Sequence, residues 1–373
     1  MKIAIVHDAI FTKAGGERVL LNVHQSFPDA TIFTSIFDSK NTYPEFSQAN
    51  IKTTWLDYIA SNEKVYKLLF FPLGILASRS INLSGYDVVF ATTTHSAKYI
   101  KVDKDCLVIN YCFTPFRLAW NPESYNLYKN SQGVKRKFLD FIILILKKID
   151  FKYAQRANHY IAMTEETSKR IKDCYSFNYK IDIINPSIDT SKYYISNQKK
   201  EYYLVVSRLE EYKKVDLAIN TFNKLGFNLK IVGGGMESSY LKNMAKSNIE
   251  FLEKINDNEL ADLYSNCKAL IFPQHEDYGL TPIEANASGR PVIALNKGGV
   301  LETGIPYSGD DQSFTMVLFR EQTVDSLINA INLFEKLDCN PEFIRSHSLN
   351  FDDKVFINRI REYVYKKLEL KNV

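Results

Sequence analysis

Glu276-Asp277-Tyr278-Gly279-Leu280-Thr281-Pro282-Ile283-Glu284 (EDYGLTPIE) follows the apolar run CKALIFP and precedes ANASGRPVIALNKGG. Two acids therefore flank a glycine turn between buried elements, and a helix is expected to start just after Gly279. Such a start leaves backbone N–H groups free to meet an anion or a hydroxyl-rich ligand. Glu276 and Glu284 can accept hydrogen bonds from hydroxyls. They can equally be a capping acid and a surface acid.

Working outward, YYLVVSRL, NLKIVGGG, NIEFL, ALIFP and PVIALN read as strands separated by helical stretches. An earlier series, KIAIVHDAI, ATIFTSIF, YDVVFATT, CLVINY and HYIAMT, repeats the theme. Near-continuous Val, Ile and Phe mark parallel strands covered on both faces. The polar stretch PSIDTSKYYISNQKKE separates the two series. The fold expected is α/β, with two Rossmann-like domains facing across a cleft. Residues 1–185 form the first domain, 186–201 a linker, 202–349 the second domain and 350–373 a closing helix. A length of 373 residues fits two domains of ordinary size.

Lys plus Arg number 47 against 43 for Asp plus Glu, a net charge of +4 that is too weak to imply nucleic acid. Five scattered cysteines without a CxxC pair read as thiols in a reducing compartment. MKIAIVHDAI reads as a first strand rather than a signal peptide, because Asp8 interrupts the apolar run. The expected location is therefore the cytoplasm. HExxH, GxSxG and metal-spaced histidine clusters are absent from the sequence, so no metal or cofactor is expected.

Three other stretches carry candidate chemistry. In AGGERVL, Gly15 and Gly16 open a helix and allow close approach of a ligand, although a tight turn required by packing explains them as well. In VVSRLEEYKKVD, Arg208 ends a strand and Lys213 follows, a placement that suits a diphosphate, whereas a solvated charge run is the bland alternative. In IVGGGMES, Gly233 opens another strand-to-helix turn that can cradle phosphate, but it lacks the G-K-[ST] of a P-loop.

Taken together, EDYGLTPIEANASGRPVIA resembles the glutamate-x7-glutamate motif of retaining glycosyltransferases of family 4, which have the two-domain GT-B fold. VVSRLEEYKKVDLAINTFNKLG, GGVLETG, IVHDAIFTKAGGERVL, NYCFTPFRLAW and AMTEETSKRIKDCYSFNYKIDIINPSIDTSKY extend the likeness over nearly the whole chain. The resemblance implies that the second domain holds a nucleotide-diphosphate sugar and the first holds the acceptor. It gives Arg208 and Lys213 to the donor diphosphate, Glu276 to the donor sugar, Glu284 to the ribose, and Gly279, Leu280 and Thr281 to the donor loop. Gly15 and Gly16 match the glycine loop over the phosphates, and Gly233 joins the donor side. Asp8, His95 and Arg117 are the acceptor-side candidates, and Glu276, Arg208 and Lys213 the catalytic ones.

One position departs from the family pattern. Where YCHTPPR is common, this chain has YCFTPFR, so the histidine expected near the donor sugar is Phe113. The resemblance implies metal-independent transfer with retention of configuration, and the nearest likeness is to GDP-mannose-dependent mannosyltransferases of O-antigen or lipopolysaccharide synthesis. A lipid-linked oligosaccharide is the implied acceptor. VKRKFLDFIILILKKIDFKYAQR (134–156) is too short an apolar run to span a bilayer, but its flanking cations suit an anionic membrane surface, so a peripheral place on the inner face of the cell membrane joins the expectation. The competing readings are a nucleotide-sugar-binding or scaffold subunit without activity, a glycoside hydrolase and a sugar-nucleotide epimerase.

Overall fold

A computed structural model of the chain describes residues 1–60, 65–66, 69–198, 201–309 and 313–372. The chain divides into two compact units, Met1–Pro186 with the helical residues from Phe356 onward, and Ser187–Val355.

The first unit is built on seven strands: β1 Ile3–His7, β2 Thr31–Thr34, β3 Ile51–Thr53, β4 Val88–Thr93, β5 Leu107–Cys112, β6 His159–Ala162 and β7 Asp182–Ile183. Their order is β3-β2-β1-β4-β5-β6-β7, and every pairing is parallel. Every residue of β1, β4 and β5 is buried, as expected for parallel strands with helices on both faces.

The second unit holds β8 Tyr202–Val206, β9 Asn228–Val232, β10 Ile249–Leu252, β11 Leu270–Phe272, β12 Val292–Leu295 and β13 Met316–Phe319. They lie in the order β10-β9-β8-β11-β12-β13, again all parallel. Both units are thus Rossmann-like, with chain order reversing between β1 and β4 in one and between β8 and β11 in the other. In open parallel sheets, ligands bind beyond the carboxyl ends of the strands at this reversal.

The closing helix runs Asp353–Asn372, and its Phe356, Ile360 and Val364 are buried in the core of the first unit with Ile5, Val19 and Ile109. This spacing places one apolar stripe along a helix whose other faces are charged. Within the stretch 186–201, Ser187 through Ser196 pack onto the second unit: Arg345 donates to the Tyr193 carbonyl at 2.7 Å and Arg290 to that of Ser196 at 2.7 Å. Lys199 and Lys200, part of the same expected linker, lie outside the described residues.

Candidate functional site

In the second unit, the loops after β8 and β11 bring two of the expected residues, Lys213 and Glu276, together. Arg208 stands two residues beyond β8, exposed, with Nη2 donating to the Tyr212 hydroxyl at 2.6 Å. Lys213 ends a short 3₁₀ turn, Glu211–Lys213. It is buried and forms an ion pair with Glu276 Oε1. Glu276 follows β11, so a cation and an acid from the two strands of the reversal meet directly.

Gly279 closes the acidic loop with φ +92°, a left-handed conformation that favours glycine, and a Cβ there would come within 2.8 Å of the Phe272 ring. The helix Leu280–Ala287 starts at once, placing Leu280 and Thr281 in its first turn, and Glu276 Oε2 lies 3.6 Å from the site of the missing Gly279 Cβ. One turn on, Glu284 accepts from the Tyr264 hydroxyl at 2.7 Å. Burial raises its pKa above the ordinary carboxylate value, although the Tyr264 and Tyr193 hydroxyls and Lys192 pull the other way.

Two partners of this loop were not legible from spacing. Gly299 donates its N–H to the Glu276 carbonyl at 2.9 Å, and a Cβ on Gly298 would lie 2.4 Å from that same oxygen. The glycine pair in NKGGV is therefore required by the close approach of the acidic loop. Tyr264 reaches Glu284 from another helix, which an eight-residue spacing of acids cannot reveal.

The glycines 233–235 serve a packing role. Gly233 has φ +132°, and a Cβ there would lie 2.0 Å from the Ser207 carbonyl oxygen; one on Gly235 would lie 2.3 Å from that of Leu209. The loop runs tightly against the end of β8, and the Leu209 N–H donates to the Gly234 carbonyl at 2.9 Å. Close backbone packing thus accounts for two of the three glycines without any ligand.

In the first unit, Asp8 sits just beyond β1 and is buried. It accepts from the backbone N–H of Thr94 at 2.6 Å, His95 at 3.1 Å and Ala97 at 2.6 Å, and from the Thr94 hydroxyl at 2.7 Å. Burial alone would raise its pKa. His95, His7 and those N–H donors outweigh it and hold the carboxyl well below the ordinary range. Asp8 therefore stays ionised and pins the loop after β4 across the chain reversal.

His95 lies in that pinned loop. The Ser96 N–H donates to its Nδ1 at 2.8 Å, and Nδ1 also lies 3.5 Å from Asp8 Oδ1. Burial lowers its pKa against the pull of Asp8. The ring packs against Phe70, with centroids 4.8 Å apart, and against Phe116 at 5.8 Å.

Gly15 and Gly16 open the helix Gly15–Ser26. A Cβ on Gly16 would meet Phe113 at an ordinary 3.8 Å, so packing within the chain does not demand glycine there. Phe113 is buried in the apolar core, its ring 5.5 Å from Tyr111 and 6.4 Å from His7. Arg117 opens the short helix Arg117–Trp120, is exposed, and is not among the residues that line the cavity around His95. Among the described residues no group of three or more His, Cys, Asp or Glu can hold a metal ion, and no helix is long and apolar enough to cross a membrane.

Comparison with known proteins places this geometry. The chain is 23% identical to the alpha-1,3/1,6-mannosyltransferase ALG2 of Candida glabrata over 93% of its own length and 88% of that protein. It is 27% identical to the O-antigen chain mannosyltransferase RfbU of Salmonella typhimurium, over 53% of this chain and 61% of the relative. Among solved structures, Anabaena Alr3699/HepE in complex with UDP superposes with a TM-score of 0.71 at 15% identity, covering 98% of this chain and all of the other. The apo lipopolysaccharide outer core galactosyltransferase WaaB superposes at 0.66 with 14% identity, over 98% of this chain and 100% of that one. These likenesses give the two-domain architecture expected from the sequence, the GT-B fold. Residues 189–347 match the family described as "Glycosyl transferases group 1".

Proposed function

We propose that the protein is a retaining hexosyltransferase that moves a sugar, with mannose the preferred candidate, from a nucleotide-diphosphate sugar to a lipid-linked saccharide. The observation that carries this reading is the Lys213–Glu276 ion pair at the β8–β11 reversal, with Arg208 two residues beyond β8 and the Leu280 helix start four residues after Glu276. Bond cleavage at the anomeric carbon leaves negative charge on the departing diphosphate. Arg208, Lys213 and the N–H groups of the Leu280 helix start would stabilise that charge more than the ground state, which lowers the barrier.

Glu276 already neutralises Lys213, so its role is to orient the lysine and the donor sugar rather than to form a covalent adduct. Glu284 would take the ribose hydroxyls. Asp8, His95 and Arg117 belong to the acceptor side, and Gly16 leaves room over the phosphates. The names of two relatives, both mannosyltransferases, support mannose as the sugar, and GDP-mannose is the donor proposed; the Anabaena structure holds UDP. Calorimetric titration with GDP, UDP and their hexose conjugates tests the donor site. Saturable binding that weakens at least about tenfold in Arg208→Ala is expected, a loss of about 1.4 kcal/mol; no binding of any nucleotide would refute the reading.

The acceptor class draws support from the helix Gly133–Ala154. Its inner face, Leu146 and Tyr153, joins the core, while Val134, Phe138, Phe141 and Leu144 are 85%, 62%, 60% and 51% exposed beside Lys137 and Lys148. Large exposed apolar groups among lysines fit an anionic bilayer surface, where a lipid-linked acceptor resides. Flotation with vesicles containing anionic lipid should carry the protein upward, and Phe138→Ser with Phe141→Ser should abolish this; equal flotation of both proteins would count against the surface.

A further inference from the structure

The backbone around Arg208 is held from one side by the loop after β9. The Leu209 N–H donates to the Gly234 carbonyl at 2.9 Å, and the Glu237 N–H donates to that of Leu209 at 3.0 Å. Beyond Arg208 the chain turns tightly. The Lys213 N–H closes the 3₁₀ turn Glu211–Lys213 on the Glu210 carbonyl at 2.9 Å, and Lys214 follows at φ +53°, a left-handed conformation uncommon for lysine. This turn sets Tyr212 beside both cations of the segment. Arg208 Nη2 donates to its hydroxyl at 2.6 Å, and Lys213 Nζ lies 5.0 Å from the centre of its ring.

Tyr212 is 51% exposed, so its ring is not there to fill the core, and a ligand can reach its hydroxyl. That hydroxyl is the acceptor in its contact with Arg208, and its own proton has no acceptor among the described residues. A phenol that accepts from a guanidinium is polarised into a stronger donor. Arg208 uses one of its five N–H groups on Tyr212, which leaves the rest of the planar fork to meet phosphate oxygens. An exposed arginine loses rotamer freedom when a ligand orders it; the contact with Tyr212 imposes part of that order before the ligand arrives.

We infer that Tyr212 is a further diphosphate-binding residue, whose hydroxyl holds Arg208 and donates a hydrogen bond to a phosphate oxygen of the donor. The phenol keeps its proton throughout and acts only as a donor. The inference rests on the donor site proposed above, but not on transfer itself.

The test is calorimetric titration of the full chain with GDP and with UDP, in the unaltered protein, Tyr212→Phe, Arg208→Ala and the double variant. Phenylalanine keeps a ring beside Lys213 and removes only the hydroxyl, and equal urea midpoints check that the fold is unchanged. Tyr212→Phe should weaken binding of the nucleotide at least about fivefold. The double variant should lose at least about threefold less than the product of the two single losses, because the two groups act together. At saturation, the ³¹P signals of the bound nucleotide should differ between Tyr212→Phe and the unaltered protein. An affinity within about twofold of the unaltered protein, fully multiplicative losses, or unchanged ³¹P signals would each overturn the inference and leave the donor site standing. No saturable binding of either nucleotide to the unaltered protein would refute the donor site and this inference together. The expected binding pattern in a chain that transfers nothing would uphold the inference and sink the transferase reading alone.

Discussion

Gly233 lies directly against the carbonyl of Ser207, where a Cβ would come within 2.0 Å of the oxygen. Its φ of +132° adds a conformational penalty for any other residue. Gly233→Ala should therefore cost at least about 2 kcal/mol in urea unfolding and shift the end of β8 that carries Arg208. Gly234, exposed and with nothing within 4 Å of a Cβ, is the control. Gly234→Ala should stay within about 0.5 kcal/mol of the unaltered protein. Equal losses at both positions would refute the packing account.

Lys213 and Glu276 form a pair at the site, so their effects on transfer should be coupled. Removing either group is expected to lower kcat by about 10²-fold or more, and the double variant should lose much less than the product of the two. Glu276→Ala leaves Lys213 without its carboxylate, whereas Lys213→Ala leaves Glu276 without its cation. Independent, multiplicative losses would show that the pair does not act as a unit.

The local geometry of the acidic loop was readable in the sequence because it is short-range. A strand just before EDYGLTPIE, its glycine turn and the helix that starts within it place Gly279, Leu280 and Glu284 through short-range geometry alone. Arg208 was legible in the same way, as a charge at the end of an apolar run. Asp8 was named only through the resemblance, and its partners Thr94, His95 and Ala97 were not legible, because they lie in the loop after β4, which becomes a neighbour of β1 only through the parallel crossover. The glycines 233–235 looked like a phosphate cradle because glycine in a strand-to-helix turn signals close approach without saying what approaches; here it is the Ser207–Leu209 backbone. Lys98 and Asp150 also gave no sequence signal of the pair they make.

That pair is fully internal. Asp150, with no exposure, faces Lys98 Nζ at 2.8 Å and accepts from Tyr99, Trp120 and Tyr175 at 2.9, 2.8 and 2.8 Å. It ties the helix Gly133–Ala154 to the loop after β4 and to the helices Arg117–Trp120 and Glu165–Tyr175. Asp150→Ala strands a buried ammonium and three donors, and should destabilise the first unit by about 3–5 kcal/mol. Adding Lys98→Met should recover part of that loss; an Asp150→Ala protein as stable as the parent would contradict the network's role.

Acid should weaken the fold in a defined window. His7 and His95 have pKa values lowered from 6.5, chiefly by burial, so the unfolded chain binds more protons than the folded one near that pH. Stability then rises with pH up to about the unfolded value of 6.5 and falls as pH drops below it. Asp8, lowered from 3.8, contributes stability that is lost only under stronger acid. Urea unfolding at pH 7.5 and 5.0 should show the lower stability at pH 5.0, with a smaller difference in His95→Gln. An unchanged slope in that variant would remove His95 from the account.

The most direct measurement incubates the purified protein with GDP- and UDP-hexoses and detergent-solubilised lipid-linked saccharides, following nucleotide release and acceptor mass together. The account predicts one hexose increment on the acceptor, matched by nucleotide release from a single donor and lost in Lys213→Ala. Saturable donor binding with neither release nor increment across the acceptor panel would contradict it, and would make Phe113 the first residue to restore to histidine.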